Sequence, residues 1–160
     1  MKHLFSLFLI LTLGIVQAQS VQSPSGKIAV NFKLGSNGQP IYSVNYKDKA
    51  VVLESALGIK LKEKSALESN FEILTSKTAT FNESWKPVLG EQATIVNHYN
   101  ELTVSLINKE SKVKMNIIFR VFDEGVAFRY DFPRQADLNY FIISDELTQF
   151  NLAENNKVFW

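Results

Sequence analysis

Residues Met115–Pro133 read MNIIFRVFDEGVAFRYDFP, and they settle the fold class of this chain. Counting from Val113, the apolar residues Val113, Met115, Ile117, Phe119 and Val121 alternate with Lys114, Asn116, Ile118, Arg120 and Phe122. A period of two places the first set on one face of a strand. Beyond Asp123-Glu124-Gly125 the alternation resumes, with Val126, Phe128, Tyr130 and Phe132 against Ala127, Arg129 and Asp131. Two such runs joined by three residues that include a glycine predict a hairpin, with Gly125 at positive φ closing a type I turn and bulge. Pro133 has no N–H for a ladder and ends the second strand.

The opposite face of this hairpin is not purely polar. Ile118 and Phe122 share it with Arg120, and Ala127 shares it with Arg129, so it is expected to be partly covered by another sheet edge, a loop or a domain. Arg120 and Arg129 are expected near each other across the hairpin. They either pair with Asp131, Asp123 or Glu124 to satisfy a half-buried polar face, or they contact a substrate.

Working outward, the rest of the chain is strand after strand. Ile28–Leu34 alternates after the turn Ser23-Pro24-Ser25-Gly26, and Gly35–Pro40 turns the chain into Ile41–Tyr46. Lys47-Asp48-Lys49 turns it again into Ala50–Leu53, which makes a meander of antiparallel strands. Ser55–Leu61 reads as a short edge, and the charged stretch Lys62–Ser69 as a loop. A strand starts at Phe71, Ile73 and Thr75; Trp85–Glu91, with Pro87 and Gly90, reads as an ordered loop that Asn97–Glu101 prolongs. Leu102, Val104 and Leu106 then alternate with Thr103, Ser105 and Ile107. Tyr140–Ile143 and Asp145–Leu152 are read as two further strands.

Met1–Ala18 is read as a secretory signal: Lys2 forms a basic start, Leu4–Val16 is mostly apolar, and Val16-Gln17-Ala18 offers small residues to a signal peptidase. It is too short for a membrane span. Cleavage there leaves 142 residues from 160 minus 18, starting at Gln19. The chain has no cysteine, which rules out a lipid-modified cysteine at the cleavage site and any disulfide framework. Secretion without disulfides points to a bacterial periplasmic or cell-envelope protein. Of 17 basic residues one, Lys2, leaves with the signal, so 16 basic residues balance 16 acidic ones. Such a neutral chain carries no stripe for a phosphate backbone, and nucleic acid is excluded as a partner. The full sequence has 12 Phe, of which Phe5 and Phe8 leave with the signal, and the remaining 10 with 5 Tyr and 2 Trp give the bulk for one well-packed domain.

The mature chain has one histidine, His98, so neither a Cys–His pair nor a multi-histidine zinc site can be built. Asp123-Glu124 and Asp145-Glu146 are adjacent carboxylates, but neighbours on a strand point to opposite faces, which disfavours a glycosidase pair. Trp85, His98, Tyr99 and Glu101 form the most site-like cluster, with aromatic faces and hydrogen-bonding groups together on loop-like sequence. The alternative is a tryptophan capping the end of the core with His98 bonded to a backbone carbonyl.

Taken in order, Ser23-Pro24-Ser25-Gly26-Lys27, Ser43-Val44-Asn45-Tyr46-Lys47, Leu57-Gly58, Trp85-Lys86-Pro87-Val88-Leu89-Gly90-Glu91, Asn97–Leu102, the central hairpin and Asp145-Glu146-Leu147-Thr148 resemble the N-terminal domain of glycoside hydrolase family 97. The resemblance covers essentially the whole mature chain. Leu89 departs from the family pattern, where many members carry an aromatic residue.

What the resemblance implies is an all-β, antiparallel sandwich of the galactose-mutarotase-like kind, incomplete at its C-terminus and packed against a (β/α)8 barrel that follows in sequence. It implies an α-glucosidase or α-galactosidase parent acting on oligosaccharides, with calcium and the catalytic carboxylates held beyond the residues present here. No catalytic or metal-ligating residue is therefore carried over, and Trp85, His98, Tyr99 and Glu101 remain substrate-proximal candidates only. On this reading the apolar ending Lys157-Val158-Phe159-Trp160 marks a domain cut short. Ile118, Phe122, Phe159 and Trp160 would then be exposed, and the chain marginally stable and prone to associate. The competing reading is a stand-alone carbohydrate-binding or envelope-interaction module.

Overall fold

The computed structural model of the protein describes residues 18–64, 66–155 and 157, so the signal-peptide expectation and the ending at Phe159 and Trp160 lie outside the described residues. Two four-stranded antiparallel sheets make the body. The first runs β1 (Gln19–Gln22), β2 (Ile28–Leu34), β3 (Pro40–Tyr46) and β4 (Lys49–Ala56); the second runs β6 (Phe71–Trp85), β7 (Ile95–Asn108), β8 (Lys114–Val121) and β9 (Val126–Asp131). A small ribbon joins β5 (Ile59–Leu61) to β10 (Ile143–Glu146). The outer edge of β6 takes no strand among the described residues, which leaves the sandwich open on that side.

The alternation read from the sequence is the core. Met115, Ile117, Phe119 and Val121 are fully buried, and Leu102, Val104 and Leu106 join them from β7. Facing them from the first sheet are Val30, Phe32 and Tyr42, with the Phe119 ring 6.2 Å from Phe32 and 6.1 Å from Tyr42. Each large apolar side chain so buried contributes about 1.5–3 kcal/mol.

Turn chemistry fixes the register. Lys47 and Asp48 both take positive φ, 46° and 65°, which matches the twist of a two-residue hairpin between β3 and β4. Asn108 closes the β7–β8 turn: its Oδ1 accepts the N–H groups of Glu110 and Ser111 at 3.0 and 2.9 Å, while its Nδ2 donates to the Ser69 carbonyl at 2.8 Å. The central hairpin differs from expectation. Gly125 is not in the left-handed region; Val121 pairs with Val126, so the connection has four residues, and the Phe122 N–H donates to the Gly125 carbonyl at 2.9 Å. Asp123 Oδ1 in that loop accepts the Ser25 N–H at 2.9 Å, tying it to the β1–β2 turn.

Two other expectations change. Tyr140–Ile142, after a 3-10 turn at Ala136–Leu138, is not strand, and of Asp145–Leu152 only Asp145 and Glu146 belong to a strand, which begins at Ile143, while Leu152 makes an isolated bridge to Val52. Residues 142–153 run antiparallel beside residues 51–62, through Lys62 N–H to Ile142 O, Leu147 N–H to Gly58 O, Gln149 N–H to Ala56 O and Leu53 N–H to Asn151 O. Tyr130 anchors this strap. Its hydroxyl accepts the Gly58 N–H at 3.0 Å and donates to Thr148 Oγ1 at 2.7 Å, and Thr148 donates in turn to Glu146 Oε1 at 2.7 Å.

Candidate functional site: the long arm and the outer face of the second sheet

β6 and β7 are the longest strands, 15 and 14 residues, and they outrun their neighbours. β8 pairs with β7 only from Asn100 to Ile107, so Ile95–Tyr99 pairs with β6 alone. Five residues at about 3.4 Å each carry this two-stranded arm roughly 17 Å past the sheet. At its base Asn100 Nδ2 donates to the Gln22 carbonyl at 2.8 Å and Asn100 Oδ1 accepts from Thr80 Oγ1 at 2.7 Å. Higher up, Asn97 Nδ2 donates to Glu83 Oε1 at 2.9 Å.

Asn97–Glu101, read from the sequence as loop, is therefore strand, and Trp85 is the last residue of β6. Strand parity then separates the candidates. Tyr99 and Glu101 lie on the outer face of the second sheet, and Trp85, opposite Ile95, lies on that same face two pairs beyond Phe81 and Tyr99; His98, opposite Asn82, is on the other face. Tyr99 is only 4% exposed. Its ring stacks on Phe81 with centroids 4.9 Å apart and planes at 21°, and meets Phe122 at 4.9 Å on another side. Arg120 lies over the same ring, Cζ to centroid 4.8 Å, and its Nε donates to Glu101 Oε2 at 2.9 Å. That hydrogen bond is the chief reason the guanidinium holds its proton more tightly than usual.

Arg120 thus pairs with Glu101 across β7, not with Asp131, Asp123 or Glu124 as the sequence suggested; Asp131 accepts instead from Asn116 Nδ2 at 2.8 Å. Arg129 sits diagonally from Arg120, and the two flank Ala127 with Ile118 beneath. Ile118 is 8% exposed, so the expected bare face is covered by its own sheet's side chains. Phe81 escaped the sequence reading, and Phe122 was placed on this face but not beside Tyr99, because the register that brings both rings to Tyr99 is set by contacts far along the chain.

The acidic pairs have structural work. Asp123 holds Ser25, whose hydroxyl first and N–H second lower the carboxyl pKa; Glu146 receives Thr148. Among the described residues no group of three or more His, Cys, Asp or Glu side chains could hold a metal ion. Among them, too, no helix is long and apolar enough to cross a membrane.

Two antiparallel sheets around one aromatic core, with a projecting β-arm, define an all-β sandwich domain. The chain belongs to the glycosyl-hydrolase 97 N-terminal family, whose model matches residues 21–160. Among solved structures it is similar to a glycoside hydrolase family 97 enzyme from Pseudoalteromonas sp. strain K8 in complex with panose, with 34% identity and a TM-score of 0.79 over 84% of this chain and 20% of that one. The same enzyme in complex with acarbose matches with the same identity and TM-score. A beta-arabinopyranosidase matches at 27% identity and a TM-score of 0.77, over 86% of this chain and 22% of that one. The chain thus spans about a fifth of the length of these solved relatives.

Proposed function

We propose that this chain is the non-catalytic N-terminal β-sandwich of a secreted, periplasmic family 97 glycoside hydrolase, and that it packs on and helps shape the active site of a (β/α)8 barrel following it in the polypeptide. The observation that supports this is the match of residues 21–160 to the N-terminal family model, together with solved neighbours about five times the length of the matched part. The substrate class is an α-linked glucoside or galactoside, and calcium belongs with the barrel. Trp85, Tyr99, Glu101 and His98, at the arm and its base, are the residues of this chain nearest the substrate in this arrangement.

Purified residues 19–160 should hydrolyse neither p-nitrophenyl α-glucoside nor the α-galactoside, while the polypeptide read on through the DNA after codon 160 should. Turnover by residues 19–160 alone would refute the assignment. N-terminal sequencing of periplasmic material should start at Gln19. The half-exposed Trp85 favours a second reading, a stand-alone carbohydrate-binding module. Calorimetric titration with maltooligosaccharides separates the two: saturable binding that Trp85→Ala abolishes supports the module, and absence of binding supports the enzyme domain.

A further inference from the structure

We infer that the apex of the β6–β7 arm is a docking plug that inserts into an apolar hollow of the domain following in the same polypeptide. The inference rests on the reading just given and names the contact surface. At the apex Val88 is 99% exposed and Leu89 90%, with Val96 and Trp85 also exposed beside them. Single apolar residues in water are ordinary, but two adjacent aliphatic side chains almost wholly in solvent, beside a tryptophan and a valine, form a patch of the kind that marks an interaction site.

The shaft contrasts with the tip. Above Phe81, which is 40% exposed at the base, the shaft carries the Glu83–Asn97 hydrogen bond on one face and Asn82 opposite His98 on the other. A polar shaft with an apolar end suits insertion of the end alone, with water left along the sides. The arm behind the tip is regularly paired. The ladder is unbroken from Thr75↔Ser105 to Trp85↔Ile95, Pro87 restricts its own φ, and Gly90 takes a φ of 152°, which L side chains rarely adopt. Loop tips that face only water are usually small and polar; this one is neither.

The occupant follows from length. In the solved neighbours the matched part is 20% of the chain, so four-fifths of each lies outside it, and the hollow belongs to what comes next in sequence. Its chemistry is complementary to the plug: an aliphatic and aromatic floor, with a polar rim facing Lys86 and Glu91.

Amide hydrogen exchange tests this, comparing the 160-residue chain with the polypeptide that continues past Trp160. Residues 86–94 should exchange at least tenfold more slowly in the longer polypeptide, and Val88→Asp with Leu89→Asp should return them to the rate of the short chain. Equal rates in an active enzyme would overturn the docking while leaving the functional assignment intact. An inactive longer polypeptide would count against the assignment itself, and a stop codon directly after Trp160 sinks both. Two competing occupants are checked on the 160-residue chain. Co-sedimentation with phosphatidylglycerol–phosphatidylethanolamine vesicles, or a dimer in the centrifuge, lost in either case on the double substitution, would reassign the plug to lipid or to a second copy. The double substitution acts on exposed side chains, so an unchanged melting temperature shows that the variant folds.

Discussion

Arg120 and Glu101 face each other across β8 and β7 with Nε 2.9 Å from Oε2, and the same guanidinium lies 4.8 Å from the centre of the Tyr99 ring. One cation therefore satisfies a carboxylate and covers an aromatic ring on a face that would otherwise be open. Arg120→Ala removes both contacts. The guanidinium is partly in water, which screens the ion pair, so the expected loss is about 1–2 kcal/mol, ion pair and cation–π contact together. For a domain of this size that lowers the melting temperature by roughly 3–6 °C. Arg120→Lys should recover only part of it, because an ammonium lacks the planar fork and stacks less well. A melt that does not move would show the contact to be inert.

The hydrogen-bond chain from the Gly58 N–H through Tyr130 and Thr148 to Glu146 fastens residues 142–153 to the sandwich. Tyr130→Phe leaves the Gly58 donor without its partner, at about 1–3 kcal/mol. The loss should be local: amides of residues 143–153 should exchange faster while those of β7 and β8 keep their protection. Uniform loss of protection would contradict the assignment of this chain as a local fastening.

Tyr42 is buried between the sheets and donates to the Gln149 carbonyl at 3.0 Å; burial, with a smaller contribution from nearby Tyr130, pushes its pKa up to about 12. Folding favours the neutral phenol, whereas the unfolded chain releases the proton near pH 10. The stabilisation is thus complete below about pH 10 and lost as pH rises towards 12. Tyr130, whose pKa burial also raises, adds in the same direction. Urea midpoints should fall steeply between pH 10 and 11.5, and Tyr42→Phe should flatten that fall. A wild-type midpoint that is level across the window would refute it.

Gly38 and Gly125 should respond oppositely to alanine. Gly38 has a φ of 74°, and a Cβ there would lie 2.6 Å from the Phe71 carbonyl oxygen and 2.7 Å from its nitrogen, both backbone atoms. Gly38→Ala should cost more than about 2 kcal/mol, since both the strained φ and the clash oppose it. At Gly125 a Cβ meets nothing within 4 Å and φ is not positive. Gly125→Ala should leave the urea midpoint within the error of measurement. The reverse order would mean that the hairpin needs the glycine originally expected of it.

The period of two was written into the chain by itself. Alternation is local, because successive side chains leave a strand on opposite faces, so Met115, Ile117 and Phe119 could be assigned to the core before any partner was known. The same holds for Leu102, Val104 and Leu106, for the turns at Gly26 and Lys47-Asp48, and for the motifs that carried the family resemblance. What failed was local reading where locality gives no signal. Asn97–Glu101 holds a single apolar side chain, Tyr99, among polar ones and shows no apolar rhythm, so a strand there looks like a loop, and the parity that separates His98 from Tyr99 stays hidden. Partner choice was decided only by tertiary structure. Glu101, not Asp123 or Asp131, receives Arg120 because the β7–β8 register places it opposite, and that register is imposed by core packing and the Asn108 turn rather than by the charges themselves. The strap of residues 142–153 likewise finds β4 and β5 across ninety or so residues of chain, a pairing that backbone hydrogen bonds and the buried Tyr130 hydroxyl select and that no short stretch of sequence encodes.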